Sequence, residues 1–249
     1  GVVSGTEKIT KKVILKARNL QVISRCGTGT DNIDNYALQK KIKVFKTDKE
    51  PVNAVAEFVL TQILNILKNT FYHNYYLKKK KWIKIKGKML SDCKIGLIGY
   101  GKVGKKLNQL LKPFKSKIMI YDPYFTKFKN KNILQKLLKN SDIITLNIPF
   151  NKKNQNFINK AKLKLIKNDS LFVNCSRGGL VDENELYIKL KKNKNFKAVI
   201  DCFVQEPYFG KLTRLKNVIL SPHVASFTQE TRDSMEKKSF DNCIKNLKL

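Results

Sequence analysis

The sequence has little of what would assign it to several common classes of protein. Its five cysteines are widely spaced and form no C-x-x-C pair, which argues against a disulfide framework and against a zinc site. No run approaches about eighteen consecutive apolar residues, so no transmembrane helix is expected. A basic-then-apolar signal segment is also missing. These absences predict a cytoplasmic protein with no metal site and no membrane partner.

Acidic residues and arginine are scarce as well. The 249 residues carry 19 acidic and 51 basic side chains, a formal net charge of +32. Only five of the basic residues are arginines, the side chain best suited to forked contacts with phosphate or guanine. The lysines are spread along the chain, a pattern typical of solvated helix faces. We therefore expect weak, salt-sensitive binding of polyanions but no specific nucleic-acid partner.

Strand and helix patterns alternate along most of the chain. The N-terminal part shows helical periodicity at 8–20, 34–40 and 53–67 and short strands at 21–24 and 42–45. The third helix is apolar nearly all round, which is typical of burial between domains or subunits. After a stretch interpreted as a connector, 69–88, strands are predicted at 94–98, 117–121, 143–148, 171–174, 197–201 and 218–220, with helices between them. This alternation predicts an α/β fold with a doubly wound parallel sheet.

A glycine-rich loop lies between the strand at 94–98 and the following helix. Its sequence is Gly99-Tyr100-Gly101-Lys102-Val103-Gly104. In this strand–loop–helix context G-x-G-x-x-G binds the pyrophosphate of a dinucleotide. Gly99 permits the turn, Gly101 allows close approach of the backbone, and Gly104 allows tight packing of helix on strand. Lys102 and Val103 would offer main-chain N–H groups at the helix N-terminus, where phosphates are favoured.

An acidic residue ends the next strand. Asp122 lies eighteen positions after Gly104. A carboxylate at this strand end can accept hydrogen bonds from the adenosine ribose hydroxyls, and it repels a 2′-phosphate. Pro123 and Tyr124 follow it, rather than arginines. The predicted cofactor is therefore NAD rather than NADP.

Three further segments each follow a predicted strand, at the sheet edge where doubly wound folds bind ligands. They contain Arg177, Glu206 and His223. An arginine can hold a carboxylate with two parallel hydrogen bonds, a histidine can give and take a proton, and a glutamate can orient that histidine. The spacing alone does not separate a keto-acid reductase from a set of ordinary surface side chains.

Together with the glycine loop and Asp122, these segments closely resemble the D-isomer-specific 2-hydroxyacid dehydrogenase family, particularly its phosphoglycerate-dehydrogenase-like branch. The resemblance covers essentially the whole chain, including the runs at 24–34 and 54–57 and Trp82 with Gly87. It implies a Rossmann NAD domain and a truncated, flavodoxin-like substrate domain. It also implies a homodimer formed through the NAD domains.

The resemblance places the NAD domain at 53–227 and the substrate domain at 1–52, with a C-terminal return at 228–249. It implies that Arg177 binds the substrate carboxylate, that His223 is the acid/base, and that Glu206 is the partner of the histidine. Asp201 is then the expected contact of the nicotinamide carboxamide. Two further residues are expected to lie beside NAD, namely Thr28 and Cys175.

Two features depart from the family pattern. The family's substrate domain starts several tens of residues earlier, so the chain is expected to be an N-terminally incomplete version. Phosphoglycerate enzymes also place a phosphate-binding arginine where this chain has Val3-Ser4-Gly5-Thr6. Arg25 and the backbone of Gly27 are the substrate contacts expected instead, alongside Arg177.

The sequence therefore predicts an NAD-dependent enzyme that interconverts a D-2-hydroxy acid and its 2-keto acid. Among substrates 3-phosphoglycerate comes first, which would place the enzyme in serine biosynthesis. Two alternatives stay open on the same fold: a cofactor-sensing binding protein that keeps the same side chains, and an inactive paralogue.

Overall fold

The computed structural model describes residues 1–125, 128 and 130–247. In chain order the strands and longer helices are β1 (Val2–Ser4), α1 (Lys11–Lys16), β2 (Val22–Arg25), α2 (Tyr36–Gln39), β3 (Lys43–Lys46), α3 (Val52–Lys68), α4 (Thr70–Lys78), β4 (Lys94–Ile98), α5 (Lys102–Leu111), β5 (Lys117–Tyr121), α6 (Lys131–Asn140), β6 (Ile143–Leu146), α7 (Lys160–Leu165), β7 (Leu171–Asn174), α8 (Glu183–Lys192), β8 (Lys197–Ile200), β9 (Val218–Leu220) and α9 (Gln229–Asn246). They form two compact units. The first is Gly1–Ala54 with the segment that begins at Ser226, and the second is Val55–Ala225.

The first unit is built on a small parallel sheet with the strand order β1-β2-β3. Helix α9 packs against all three strands, and α1 and α2 pack against each other. A small apolar cluster joins the sheet to α1 and α2; its buried members are Ile9, Ile14, Ile23, Ala37 and Ile42. Neither β1 nor α9 was predicted from periodicity. Strand β1 is three residues long, and α9 has a weakly amphipathic sequence, so neither leaves a clear local signal.

The second unit contains a six-stranded sheet with the order β5-β4-β6-β7-β8-β9, in which all neighbours are parallel. Strands β6 and β7 are buried along their whole length, as expected where helices cover both faces of a parallel sheet. Successive strand residues point into different apolar clusters. Leu97 and Val173 join the cluster that contains α3 and α5, while Ile98 and Phe172 join the one that contains α6, α7 and α8. The predicted α/β fold is confirmed.

Helix α3 supplies much of the first of these clusters. Ala56, Val59 and Ile63 are almost completely buried in it, against residues of the sheet such as Ile95 and Leu97. Ile66 and Leu67 are also buried in this cluster, and Leu60 and Leu64 are partly buried against it. This packing inside the second unit accounts for most of the apolar character of the helix.

The interpretation of 69–88 as a connector is wrong for its first half, because α4 occupies Thr70–Lys78. This helix buries none of its residues. Without a buried face, its sequence has no apolar period by which a helix could be recognised. His73 is partly exposed on α4, and its Nε2 accepts a hydrogen bond from the N–H of Ile85 at 3.1 Å.

Membrane-spanning helices and metal sites are both absent from the described ranges. None of the helices within them has both the length and the apolar character needed to cross a bilayer. Nor does any group of three or more His, Cys, Asp or Glu side chains within those ranges have the arrangement of a metal site.

Candidate active site

The parallel strands of the second unit bring their carboxyl ends to one edge of the sheet. From β4 the chain passes to β5 on one side, then returns beyond β4 to β6 on the other side. The switch point between β4 and β6 is the place where open α/β sheets bind ligands. The glycine loop follows β4 at this point. Asp122 follows β5, and the segments with Arg177, Glu206 and His223 follow β7, β8 and β9.

The glycine loop has the backbone that a dinucleotide site requires. Gly99 has a φ of 103°, and a Cβ there would lie 2.5 Å from the carbonyl oxygen of Asn147. A Cβ at Gly104 would lie 2.1 Å from the carbonyl oxygen of Gly99, so the start of α5 packs directly on the end of β4. A Cβ at Gly101 would meet no described atom within 4 Å. Open space therefore faces Gly101, where a pyrophosphate would approach.

Helix α5 begins in this loop, with Gly101 as its N-cap and Lys102 and Val103 in its first turn. The N–H groups of a first helical turn have no acceptors within the helix, and the helix dipole favours an anion beside them. Backbone donors, an open approach and a positive dipole end are thus combined at one point. The residues present fit the phosphates of a dinucleotide.

Asp122 is 4% exposed and holds the loops on either side of it. One carboxylate oxygen accepts a hydrogen bond from the N–H of Tyr100, in the glycine loop, at 2.5 Å. The other accepts from the N–H groups of Tyr124 at 2.7 Å and Phe125 at 3.2 Å. A carboxylate oxygen can accept two hydrogen bonds. The oxygen that accepts from the N–H of Tyr100 can therefore also accept a hydrogen bond from a ribose hydroxyl.

Two of the candidate catalytic side chains are in direct contact. His223 Nδ1 lies 2.9 Å from one carboxylate oxygen of Glu206 and 3.1 Å from the other. Glu206 also accepts a hydrogen bond from the N–H of Phe203 at 3.0 Å, which helps to hold its carboxylate in place. Both side chains are about one-third exposed. Because Nδ1 faces Glu206, Nε2 is the nitrogen of His223 that can exchange a proton with a ligand.

Asp201 anchors the loop that carries the histidine. Its carboxylate is completely buried and accepts a hydrogen bond from the Ser221 hydroxyl. It also accepts from the N–H groups of Val224 and Ala225, which lie 2.9 Å from it. These three donors offset the cost of burying the charge. They hold the chain on both sides of His223, which has the left-handed φ of 55°. The backbone of the turn that carries His223 is thus held by hydrogen bonds on both sides of the histidine.

The arginine loop after β7 is organised by Asn174. This residue is 1% exposed; its amide nitrogen donates to the carbonyl of Arg177 at 3.0 Å, and its amide oxygen accepts from the N–H of Ser176 at 3.1 Å. The Ser176 hydroxyl donates to the carbonyl of Leu146 at 2.8 Å, which ties the loop to β6. Burial raises the pKa of the Cys175 thiol well above its ordinary value, so this side chain is neutral.

Charged groups converge around the thiol of Cys202. Burial raises the pKa of this thiol well above its ordinary value, and the charge of Asp201 adds to the effect. The Arg177 guanidinium opposes it, while the carboxylates of Glu206 and Glu183 add to it. The arginine and both glutamates therefore act on the same buried atom.

Comparison with known proteins identifies the fold family. Residues 60–225 match the model of the D-isomer specific 2-hydroxyacid dehydrogenase, NAD binding domain.

The chain belongs to the D-isomer specific 2-hydroxyacid dehydrogenase family.

Its relatives in this family differ in the substrate that they are named for. The chain is 36% identical to a D-3-phosphoglycerate dehydrogenase from Methanocaldococcus jannaschii over 92% of its own length, but it spans only 46% of that relative. It is 34% identical to a hydroxypyruvate reductase from Thermotoga maritima, over 93% of this chain and 79% of the relative. The structure of a D-2-hydroxyisocaproate dehydrogenase superposes with a TM-score of 0.84 at 27% identity, over 100% of this chain and 84% of the other.

The cofactor prediction is confirmed at the level of the family, because the matching model describes an NAD-binding domain. The glycine loop follows β4 and Asp122 follows the neighbouring strand β5, so these two groups of predicted NAD residues lie at one edge of the sheet. The specific contacts of Asp201 and Cys175 with NAD stay predictions.

The predicted residues of the first unit lie in the turn after β2. Gly27 has a φ of 153°; its N–H donates to the Thr47 hydroxyl at 2.8 Å, and its carbonyl accepts from the N–H of Thr47 at 3.1 Å. Arg25 is buried, and its guanidinium donates to the carbonyl of Cys26 and to Asn32 Oδ1, the latter at 3.3 Å. Thr28 is exposed. The roles of Arg25, Gly27 and Thr28 toward a substrate or NAD stay predictions.

Three residues that shape the site were not singled out from the sequence. The carbonyl of Asn147 packs against Gly99, Asn174 holds the arginine loop, and Glu183 accepts a hydrogen bond from the N–H of Val204 at 2.6 Å. Both asparagines lie at the end of a predicted strand, a position that could have drawn attention to them. The contact of Glu183 joins two segments 21 positions apart and leaves no local signal.

The geometry of Asp122 makes cofactor preference testable. We expect Asp122→Asn to weaken the preference for NADH over NADPH by about tenfold to a hundredfold. This range corresponds to the loss of one charge-assisted contact, which contributes about 1.5–3 kcal/mol to binding. Asparagine keeps one acceptor oxygen for the loop and removes the charge that repels a 2′-phosphate. Fluorescence titration with both nucleotides measures the effect, and Asp169→Asn, at an exposed carboxylate before β7, is the matched control. Equal discrimination in the two variants would show that Asp122 does not bind the ribose.

Proposed function

We propose that this chain is an NAD-dependent dehydrogenase that interconverts a D-2-hydroxy acid and its 2-keto acid. The observation that carries the proposal is the contact between His223 Nδ1 and Glu206, at the same sheet edge as the glycine loop. A histidine held in this way suits proton exchange with an oxygen atom that alternates between hydroxyl and carbonyl. NAD, when bound, would supply the hydride chemistry of the reaction.

The residues of the site would carry out proton exchange, orientation of the histidine and binding of the substrate carboxylate. In keto-acid reduction, His223 donates the proton on Nε2 to the carbonyl oxygen; in oxidation, it removes the proton of the hydroxyl group. Glu206 stabilises the imidazolium and keeps its ring oriented. The Arg177 guanidinium binds the substrate carboxylate through paired hydrogen bonds, which places the neighbouring carbonyl against the histidine.

Among substrates we propose phosphohydroxypyruvate and 3-phosphoglycerate first. The 36% identity to a protein named D-3-phosphoglycerate dehydrogenase supports this choice. The absence of an arginine from Val3–Thr6 argues for a smaller preference than such enzymes would otherwise have. One lost charge-assisted contact is worth about 1.5–3 kcal/mol, or about tenfold to a hundredfold in kcat/KM.

The test is turnover of NADH with phosphohydroxypyruvate, hydroxypyruvate and 2-oxoglutarate, using wild-type chain and Arg25→Ala. We expect the highest kcat/KM with phosphohydroxypyruvate and a selective loss for this substrate in the variant. Equal values for phosphohydroxypyruvate and hydroxypyruvate would show a general 2-hydroxyacid dehydrogenase. NADH binding without turnover of any of them would indicate a cofactor-sensing protein, and no NADH binding an inactive paralogue.

We also propose that the protein is a homodimer formed through its NAD domain. The segment from α4 to β4 exposes an unusual number of large apolar side chains: Phe71, Tyr75, Leu77, Trp82, Ile83 and Met89. A group of this kind marks an interaction surface more often than free surface.

Trp82 allows the dimer to be tested directly. It is the only tryptophan of the chain and is 80% exposed in the single subunit. We expect its emission to be blue-shifted in the dimer and to move to longer wavelength on dilution, in step with dissociation in sedimentation velocity. A monomer at micromolar concentration, with unchanged emission, would rule the proposal out.

A further inference from the structure

Glu183 links two of the loops that form the candidate active site. It is the first residue of α8, six positions after Arg177, and its side chain is partly buried. One carboxylate oxygen accepts a hydrogen bond from the N–H of Val204 at 2.6 Å. Val204 lies in the β8–β9 connection, two positions before Glu206. A carboxylate from the β7 side of the site therefore holds the backbone of the β8 side.

The two loops also meet without any space between their backbones. A Cβ added at Gly178 would lie 1.9 Å from the carbonyl carbon of Phe203 and 2.3 Å from the nitrogen of Val204. The ring of Phe203 is stacked on that of Tyr208, with centroids 4.1 Å apart and planes inclined by 13°. The backbone at 203–204 is thus fixed by Gly178 on one side and by the stacked rings on the other.

Two consecutive N–H groups of this backbone point to two different glutamates. The N–H of Phe203 donates to Glu206 at 3.0 Å, and the N–H of Val204 donates to Glu183 at 2.6 Å. A change in the position of Val204 therefore moves the donor that holds Glu206. Since Glu206 holds His223, the effect extends to the ring of the histidine.

The charges around Glu183 also make its hydrogen bond to Val204 important. Burial raises the pKa of its carboxyl group; the Val204 N–H opposes the rise, and the charge of Glu206 adds to it. The Cys202 thiol and the Tyr208 phenol also lie within range of its charge. A like charge close to Glu206 is unfavourable in itself, so the hydrogen bond to Val204 is the interaction that favours an ionised Glu183 here.

We propose that Glu183 is a positioning residue, which holds Val204 so that the carboxylate of Glu206 stays against His223. The inference rests on the proposed dehydrogenase function for its kinetic consequences. It assigns Glu183 no contact with substrate or cofactor. Its effect on His223 passes through the backbone at 203–204 and through Glu206.

Two substitutions at Glu183 separate its hydrogen bond from its charge. We expect Glu183→Ala to lower kcat about tenfold, the scale of a small misplacement of a reacting group, with KM for the keto acid nearly unchanged. Glu183→Gln keeps an amide oxygen that can accept from Val204 and should retain most of kcat. The matched control is Glu185→Ala on the same helix, whose carboxylate pairs with Lys160 at 3.1 Å and should leave kcat unchanged.

A second readout does not depend on activity. The chain has two histidines, His73 and His223, so their ring-proton resonances can be assigned and compared at one pH. We expect Glu183→Ala to shift the resonances of His223 and to leave those of His73 in place. If the wild-type chain turns over no substrate, the proposed function fails, but this spectrum still tests the positioning role.

The kcat of Glu183→Ala and the His223 resonances can each contradict the proposal. Wild-type kcat in Glu183→Ala, or unmoved His223 resonances in a folded variant, would overturn the inference. If the alanine variant does not fold, Glu183→Asp takes its place, because the shorter side chain keeps the charge and withdraws the carboxylate from Val204. The same loss of kcat and the same His223 shift are expected from it, and their absence contradicts the proposal.

Discussion

Replacing His223 with glutamine is expected to lower kcat by about two to four orders of magnitude, the range for losing a general acid. Glutamine fills similar space and can still form hydrogen bonds, but it cannot take up or release a proton near neutral pH. The affinity for NADH should hardly change, because the glycine loop and Asp122 lie after β4 and β5, whereas His223 follows β9. Steady-state kinetics combined with nucleotide titration measures both quantities.

The chain offers a matched control for this experiment in His73→Gln. This histidine lies on α4, and its ring accepts a hydrogen bond from Ile85 rather than facing a carboxylate. We expect wild-type kcat from that variant. Turnover close to wild type in His223→Gln would mean that the proton is exchanged by another group.

Removing the guanidinium of Arg177 should have the second large effect. Two charge-assisted hydrogen bonds to a carboxylate, worth about 1.5–3 kcal/mol each, correspond to a loss of roughly 10²- to 10⁴-fold in kcat/KM for Arg177→Ala. Arg177→Lys keeps the charge without the planar fork, so its loss should be intermediate. NADH affinity should stay near that of the wild type. Initial rates over a range of keto-acid concentrations measure the effect.

Arg214 provides the comparison for Arg177, because it is exposed in the short 3-10 turn before β9. Alanine at this position should leave kcat/KM unchanged. Equal losses at Arg177 and Arg214 would point to a general effect of net charge on substrate attraction. No loss at Arg177 would assign the substrate carboxylate to a different group.

Elements with a strong local pattern could be predicted from the sequence. The strand at 94–98, the glycine loop after it and the helix that follows were all confirmed. The apolar residues of a parallel strand covered on both faces are contiguous, and glycines mark the turn where a side chain would collide with Asn147. Helix α4 was missed for the opposite reason, since a helix that buries no residue shows no apolar period.

By itself, the sequence determined the α/β class, the position of the dinucleotide loop and, through resemblance, the identity of the three candidate catalytic side chains. Only the tertiary structure decided which groups hold them. Asp201 meets the donors around His223 because β8 and β9 are adjacent, and Glu183 meets Val204 because the backbone at Gly178 abuts that of Phe203. These contacts join residues about twenty positions apart, so the pairing of strands creates them and no local pattern in the sequence reports them.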